Sequence, residues 1–211
     1  MEAVTSAFGP ARPRTRIQAA NRRVILGAAL DVFSQRGYAG TTLDEIALRA
    51  GMSKPNLLYY FRRKEDIYRS ALEATLQAWL APLEAIDPDG DPIEEIAAYI
   101  RAKFAMSREM PAASRLFANE ILNGAPVVGV FLRTTLRELV AEKTEVMRAW
   151  INRGQMAAID PVHLVFMIWA TTQHYADFSV QIDAVLGGGH DPIAEAEDTV
   201  VRLLTEGLRV R

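Results

Sequence analysis

The ten residues "MSKPNLLYYF", Met52 to Phe61, hold a lysine, an asparagine and three consecutive aromatics. An exposed Asn offers a paired donor and acceptor that suits a base edge, and an exposed Lys offers charge to a base or a phosphate. A tyrosine can lay its ring on a sugar and aim its hydroxyl at a phosphate. "RRK" at 62–64 follows directly. Cations at the start of a helix oppose its macrodipole and cost stability unless an anion arrives. A phosphate at that N-terminus would meet the cations and the free N–H groups together.

No comparable concentration of groups suits catalysis. His163 and His174 share a helix face but stand roughly 16 Å apart along the axis, at ~1.5 Å per residue, too far to hold one metal. His190 follows a run of glycines, and the chain has no cysteine. A P-loop, a GxGxxG turn and a Ser/His/Asp set are all absent. The sequence therefore predicts no enzyme, no cofactor and no metal.

The elements that must position these residues read as helices throughout, and the expected fold class is all-α. Ile17, Val24, Ala28, Leu30 and Phe33 mark a first helix, stopped near Gly37. Thr41 or Thr42 caps a short second helix, with Glu45 completing a capping box to Thr42. Gly51 ends it, Ser53 caps the next, and Pro55 sits early in that one, where a missing N–H costs nothing. Leu57, Leu58 and Phe61 can then pack on Ile46 and Ala47. Helix, glycine turn and short helix is the helix-turn-helix arrangement, whose second helix enters the major groove. A longer helix begins in "RRKEDIY", with Pro82 expected to bend or weaken it, and helices follow at about 92–109, 112–123, 127–153, 161–183 and 192–208.

Charge follows the same division. Residues 1–65 hold 11 Lys+Arg against 5 Asp+Glu, so a net -2 chain splits into a +6 segment and a -8 remainder. A basic module that meets polyanions, joined to an acidic body that does not, is the natural reading. Its 211 residues and 50% hydrophobic content suffice for a real core. The longest apolar run, "LVFMIWA", is far below the ~20 residues of a bilayer span. The lack of cysteine fits a reducing cytoplasm, the expected location. Residues 1–16 lack a signal-peptide h-region and are expected to form a disordered basic arm. The expected domains are then 17–63, the DNA-binding helix-turn-helix, and 64–211.

The segment "GYAGTTLDEIALRAGMSKPNLLYYFRRKEDIY" resembles the DNA-binding part of TetR-type transcriptional regulators. Gly40-Thr-Thr, Ile46-Ala47, Ala50-Gly51, Ser53, Tyr60-Phe61 and Lys64-Glu65 carry the likeness. It implies an all-helical homodimer with an N-terminal helix-turn-helix and a C-terminal ligand and dimerisation domain. The DNA-contacting set expected on double-stranded operator DNA is Thr42, Lys54, Asn56, Tyr59, Tyr60 and Lys64, with one tyrosine equally suited to the small-domain core. Pro55-Asn56 departs from the glycine and small residue of many members, so the operator sequence does not carry over.

"IWATTQHYADF", "MPAASRLFANEILNGAP" and "QAWLAPL" resemble the branch of the family that governs pyrimidine utilisation and senses uracil and thymine. A ring of that kind needs an apolar or aromatic slot for its faces and amide or cationic groups for its edge. Trp169 and Gln173, and likewise Arg115 and Asn119, are spaced to share helix faces. Trp79, Arg115, Asn119, Trp169, Gln173 and His174 are the expected ligand set. Trp79 and Trp169 could equally be core, and Arg115 could pair with Glu120 or another acid. The helices at 161–183 and 192–208 carry the apolar surface expected to pair two copies. The alternatives are a TetR-type sensor of another small metabolite or xenobiotic, a small hydrolase or transferase, and a nonspecific chromosome-organising protein. The modest +6 and the ligand-sized body disfavour the last.

Overall fold

A computed structural model describes residues 16–187 and 189–210. The expected arm, apart from Arg16, lies outside the described residues. Among these there are helices and no strand. The chain divides into two compact units, Met1–Ala71 and Leu72–Arg211.

In the first unit, α1 spans Arg16–Gly40, with the helical path broken at Gly37 (φ 67, ψ 175). The Thr41 hydroxyl returns to the Gly37 carbonyl at 2.8 Å and closes that corner. The buried face of α1 is Ile25, Ala28, Ala29 and Phe33, while Ile17 and Val24 are exposed. Apolar type thus marks the helix without saying which of its apolar residues are buried. α2 is Leu43–Arg49 and α3 is Lys54–Tyr60. Isolated helices of this length are unstable in water, since nucleation is costly. Two things compensate. Ile46, Ala47, Leu57 and Phe61 are buried, and both helices carry side-chain caps. Thr42 accepts from the Glu45 amide while Glu45 accepts from the Thr42 amide at 2.9 Å, and Ser53 accepts from the Asn56 amide.

α4 spans Lys64–Glu84 and tolerates Pro82 in its last turn. Arg63, just before it, does not stand unopposed. Asp66 accepts from the Arg63 amide at 3.1 Å and from its guanidinium at 2.9 Å, and Glu65 pairs with Arg69 at 2.9 Å. The expected macrodipole cost is thus offset from within the chain.

The second unit holds α5 (Pro92–Glu109), α6 (Pro111–Leu122), α7 (Gly129–Phe131), α8 (Arg137–Asn152), α9 (Pro161–Asp177), α10 (Ser179–Leu186) and α11 (Pro192–Leu208). α5 is the central helix, packed against α9 and α11. Its Ile96, Ile100 and Phe104 join Leu83, Trp150, Val165 and Ile168 in the core. Two of the expected helices are divided. The one at 127–153 contains a π-helical segment, Leu132–Leu136, within which the Thr134 hydroxyl bonds back to the Val130 carbonyl at 2.9 Å. Such a side-chain bond competes with the helical ladder. The one at 161–183 breaks at Phe178 (φ -113, ψ 29). α9 buries residues up to Ala176, whereas α10 buries none. The helical pattern continues past the break, but the packing that directed it does not. Among the described residues, no helix is long and apolar enough to cross a membrane.

Gly51 joins α2 to α3 at φ 67, and a Cβ there would meet no neighbouring atom. Backbone strain alone should therefore govern Gly51→Ala. The expected outcome is a loss of about 1 kcal/mol in chemical denaturation of the full-length protein.

Candidate functional site

The helix-turn-helix presents Lys54, Pro55 and Asn56 at the exposed start of α3. Lys54 Nζ lies 2.8 Å from Asp44 Oδ2, a solvent-exposed pair. Such a pair contributes little and can exchange for a phosphate. The Asn56 side chain is exposed. Thr42 is exposed at the cap of α2, where its oxygen is held by Glu45. Accepting from Thr42, and beside Arg36, holds the Glu45 carboxyl below the usual range.

The two tyrosines divide. Tyr59 is 70% exposed, and its hydroxyl accepts from Gln18 at 3.2 Å. Tyr60 is half-buried, its hydroxyl accepts from Asn21 at 2.6 Å, and its carbonyl accepts from Arg22 at 2.8 Å. Tyr60 therefore ties α3 to α1. Lys64 also serves the fold. Its ammonium donates to the carbonyls of Tyr38 (2.7 Å) and Thr41 (2.8 Å) and lies 4.4 Å from the Tyr38 ring centre. An ammonium has three donors, so one remains for a phosphate.

In the second unit, Trp79, Trp169 and Gln173 come together around an inner cavity of ≈ 40 Å³, with Leu76, Leu80, Tyr99, Lys103, Phe117 and Leu136. Arg115 and Asn119 line a separate outer cavity of ≈ 510 Å³, with Ser114, Asp177 and Phe178. Gln173 and Phe117 line both. His174 lines neither. It is exposed and stacks on Phe178, ring centres 4.9 Å apart. Arg115 reaches the Ala176 carbonyl at 3.4 Å rather than Glu120, whose Oε1 accepts from the Val127 and Val128 amides at 2.6 and 3.1 Å. Asp177 accepts from the Ser114 hydroxyl at 2.6 Å, and burial raises its carboxyl above the usual range. Thr171 and Thr172 bond back to the carbonyls of Met167 and Ile168, each at 2.8 Å.

The inner cavity has an electrostatic peculiarity. Lys103 is 3% exposed, and its ammonium sits 4.8 Å from the Trp79 ring centre with no carboxylate among the lining residues. Burial lowers it to about 8. The Trp79 Nε1–H is buried without an acceptor among the described residues. Trp169 Nε1 donates to the Tyr99 hydroxyl at 2.6 Å, and burial pushes Tyr99 up to about 12. Tyr99, Lys103 and Phe117 were not among the expected ligand residues. The spacing of Tyr99 and Lys103, four apart, was readable, but a lysine in "YIRAKF" looks like a solvated position until its neighbours are known. Among the described residues no cluster of His, Cys, Asp and Glu could hold a metal.

A capped helix-turn-helix followed by an all-helical body with an internal cavity defines a DNA-binding regulator. Residues 25–71 match the model of bacterial regulatory proteins of the tetR family, and residues 72–211 match that of the YcdC-like protein C-terminal region. The HTH-type transcriptional regulator RutR of Escherichia coli strain K12 is 47% identical over 94% of this chain and 95% of its own length. The ketosteroid regulator KstR2 of Mycobacterium tuberculosis superposes with a TM-score of 0.72 at 19% identity, over 95% of this chain and 99% of that one. A Clostridium perfringens putative fatty acid metabolism regulator gives 0.71 at 23%, over 89% and 100%. The chain belongs to the TetR family of DNA-binding transcriptional regulators, and it is a regulator and not an enzyme.

A lysine lowered to about 8 is penalised in the folded state at neutral pH. Between about 8 and its unfolded value the unfolded chain binds more protons, so stability rises with pH across that window. Lys103→Met should therefore stabilise the protein at neutral pH by on the order of 3 kcal/mol. Denaturant melts should show the gain shrinking as pH rises above about 8.

Proposed function

We propose that this protein regulates genes of pyrimidine utilisation in the cytoplasm, binding a palindromic operator as a homodimer and leaving it when uracil or thymine binds. The observation that carries the reading is the inner cavity itself. Two tryptophans, a tyrosine and a phenylalanine supply faces for a small planar ring, and Gln173 supplies an amide with no hydrogen-bond partner of its own among the described residues. The 47% identity to RutR over almost the whole chain supports the same assignment. Trp79, Trp169 and Gln173, joined by Tyr99 and Lys103, form the proposed ligand set. Arg115 and Asn119 are proposed to act from the outer cavity, and His174 from the adjoining turn of α9.

On DNA, the proposal gives Asn56 the base edges, Lys54 a nearby phosphate, and Thr42, Tyr59, Tyr60 and Lys64 the rest of the sugar-phosphate backbone. The surface proposed to pair two copies is the apolar one on α9 to α11, where Phe166, Met167, Val180 and Leu203 are exposed. A twofold dimer would present two recognition helices about one DNA turn, ~34–36 Å, or a multiple of it apart.

Volume suggests how ligand and operator are coupled. A cavity of ≈ 40 Å³ has room for roughly three waters, less than a pyrimidine ring. The ring can enter only a form in which Trp79, Phe117 or Leu136 has moved. Trp79 lies on α4, which begins at Lys64 in the first compact unit. Where Trp79 is the group that moves, ligand binding favours a displaced α4, and on this proposal that displacement respaces the recognition helices. A ligand shifts an equilibrium only by its differential affinity, so a hundredfold loss of operator affinity needs about 2.7 kcal/mol of coupling.

Gln173→Leu keeps volume nearly constant and removes edge recognition. It should bind uracil at least tenfold more weakly in calorimetry and stay on its operator when uracil is added. Wild-type affinity and release in that variant would dismiss the site. On the DNA side, Lys54→Ala should weaken all sequences alike and reduce the salt slope by roughly one per half-site, whereas Asn56→Ala should erode discrimination between operator and random DNA. Unchanged operator binding in both variants would remove the assignment of α3 as the reading helix.

A further inference from the structure

The inner cavity is biased toward donors. Lys103 brings an ammonium, Trp79 an unpartnered N–H, Tyr99 a hydroxyl whose own proton is free after accepting from Trp169, and Gln173 an amide NH₂. The Gln173 carbonyl oxygen is the one side-chain acceptor left among the lining residues. A buried cation beside an aromatic ring, in a cavity lined by no carboxylate, is poorly compensated, and removing a charge from water without a counter-charge is costly.

A neutral pyrimidinedione presents acceptor, donor, acceptor along its imide edge. Its N-deprotonated anion presents three acceptors and a negative charge. Resting on the reading of this cavity as a pyrimidinedione site, we propose that the ligand is held as its imidate anion, ion-paired with the Lys103 ammonium, so that the protein selects planar cyclic imides by their acidity. The step is a proton transfer alone. The ligand N–H bond breaks and its electron pair stays on the ring. The proton leaves to solvent when Lys103 is already an ammonium, or moves to the Lys103 amine when it is neutral. Below pH about 8 the first case dominates.

Nothing else in the cavity obscures that signal. α4, α6, the π-helical segment and α9 contribute no titratable lining residue, and Tyr99, from the same helix as Lys103, is held neutral by its own raised value. Binding should therefore release about one proton per ligand near neutral pH, and affinity should climb roughly tenfold per pH unit up to about pH 8 before levelling. 5-Fluorouracil, close to uracil in size and more acidic, should bind more tightly below that pH by the ratio of the acidities.

Titration calorimetry of the full-length protein with uracil and 5-fluorouracil, in buffers of differing ionisation enthalpy, reads the proton directly. Release of about one proton, together with the 5-fluorouracil preference, is the expected result. Zero release or slight uptake, with affinity flat below about pH 8, would show neutral binding and overturn the anion while leaving the pyrimidine reading intact. No binding of either compound would remove both. Lys103→Met, checked for folding by its thermal melt, should lose the release and the preference. Release that survives in that variant would overturn the role of Lys103.

Discussion

The second unit depends on burying α5. Ile96, Ile100 and Phe104 sit at full burial with α9 and α11 packed over them, and each such side chain contributes roughly 1.5–3 kcal/mol of transfer free energy. The same helix must turn Tyr99 and Lys103 into the cavity beside that core. The hydrophobic contribution is what allows a charge to remain there. Natural proteins carry such penalties most often at functional sites.

The helix-turn-helix is stabilised by a different kind of chemistry. α2 and α3 are seven residues each, too short to hold by propensity. Their caps satisfy the orphan amides, and Phe33, Ile46, Leu57 and Phe61 lock them onto α1. Lys64 and Tyr60 then fix the ends, Lys64 through two backbone carbonyls and Tyr60 through Asn21 and Arg22. Residues expected to meet DNA thus also hold the reading helix still. A rigid α3 loses little entropy on docking, which favours tight binding without extra contacts.

The exposed half of the α3 turn and the interior of the second unit differ in how they treat charge. Around α3 three cations have a carboxylate within reach: Lys54 with Asp44, Arg49 with Asp31, Arg63 with Asp66. Those pairs are solvated and exchangeable. Lys103 has no carboxylate among the residues that line its cavity and is buried. An anion arriving at α3 displaces a weak partner, whereas one arriving at Lys103 fills an unmet need.

The sequence by itself determined the helices and their caps, because capping boxes, glycines at positive φ and prolines at first turns are local chemistry that acts within a few residues. Thr42 with Glu45, Ser53, Gly51 and Pro55 were all readable for that reason. It also pointed to Gln173, a neutral amide amid apolar residues. Tertiary structure alone decided the break at Phe178 and the exposure of Ile17 and Val24, since which apolar face finds a partner is not a property of the segment that carries it. It alone turned Lys103 inward, separated Arg115 and Asn119 from the two tryptophans, and left His174 outside both cavities. Burial, and with it the fate of a charge, is set by residues distant in the chain: Lys103 became a buried cation because Trp79, Phe117 and Trp169 enclose it.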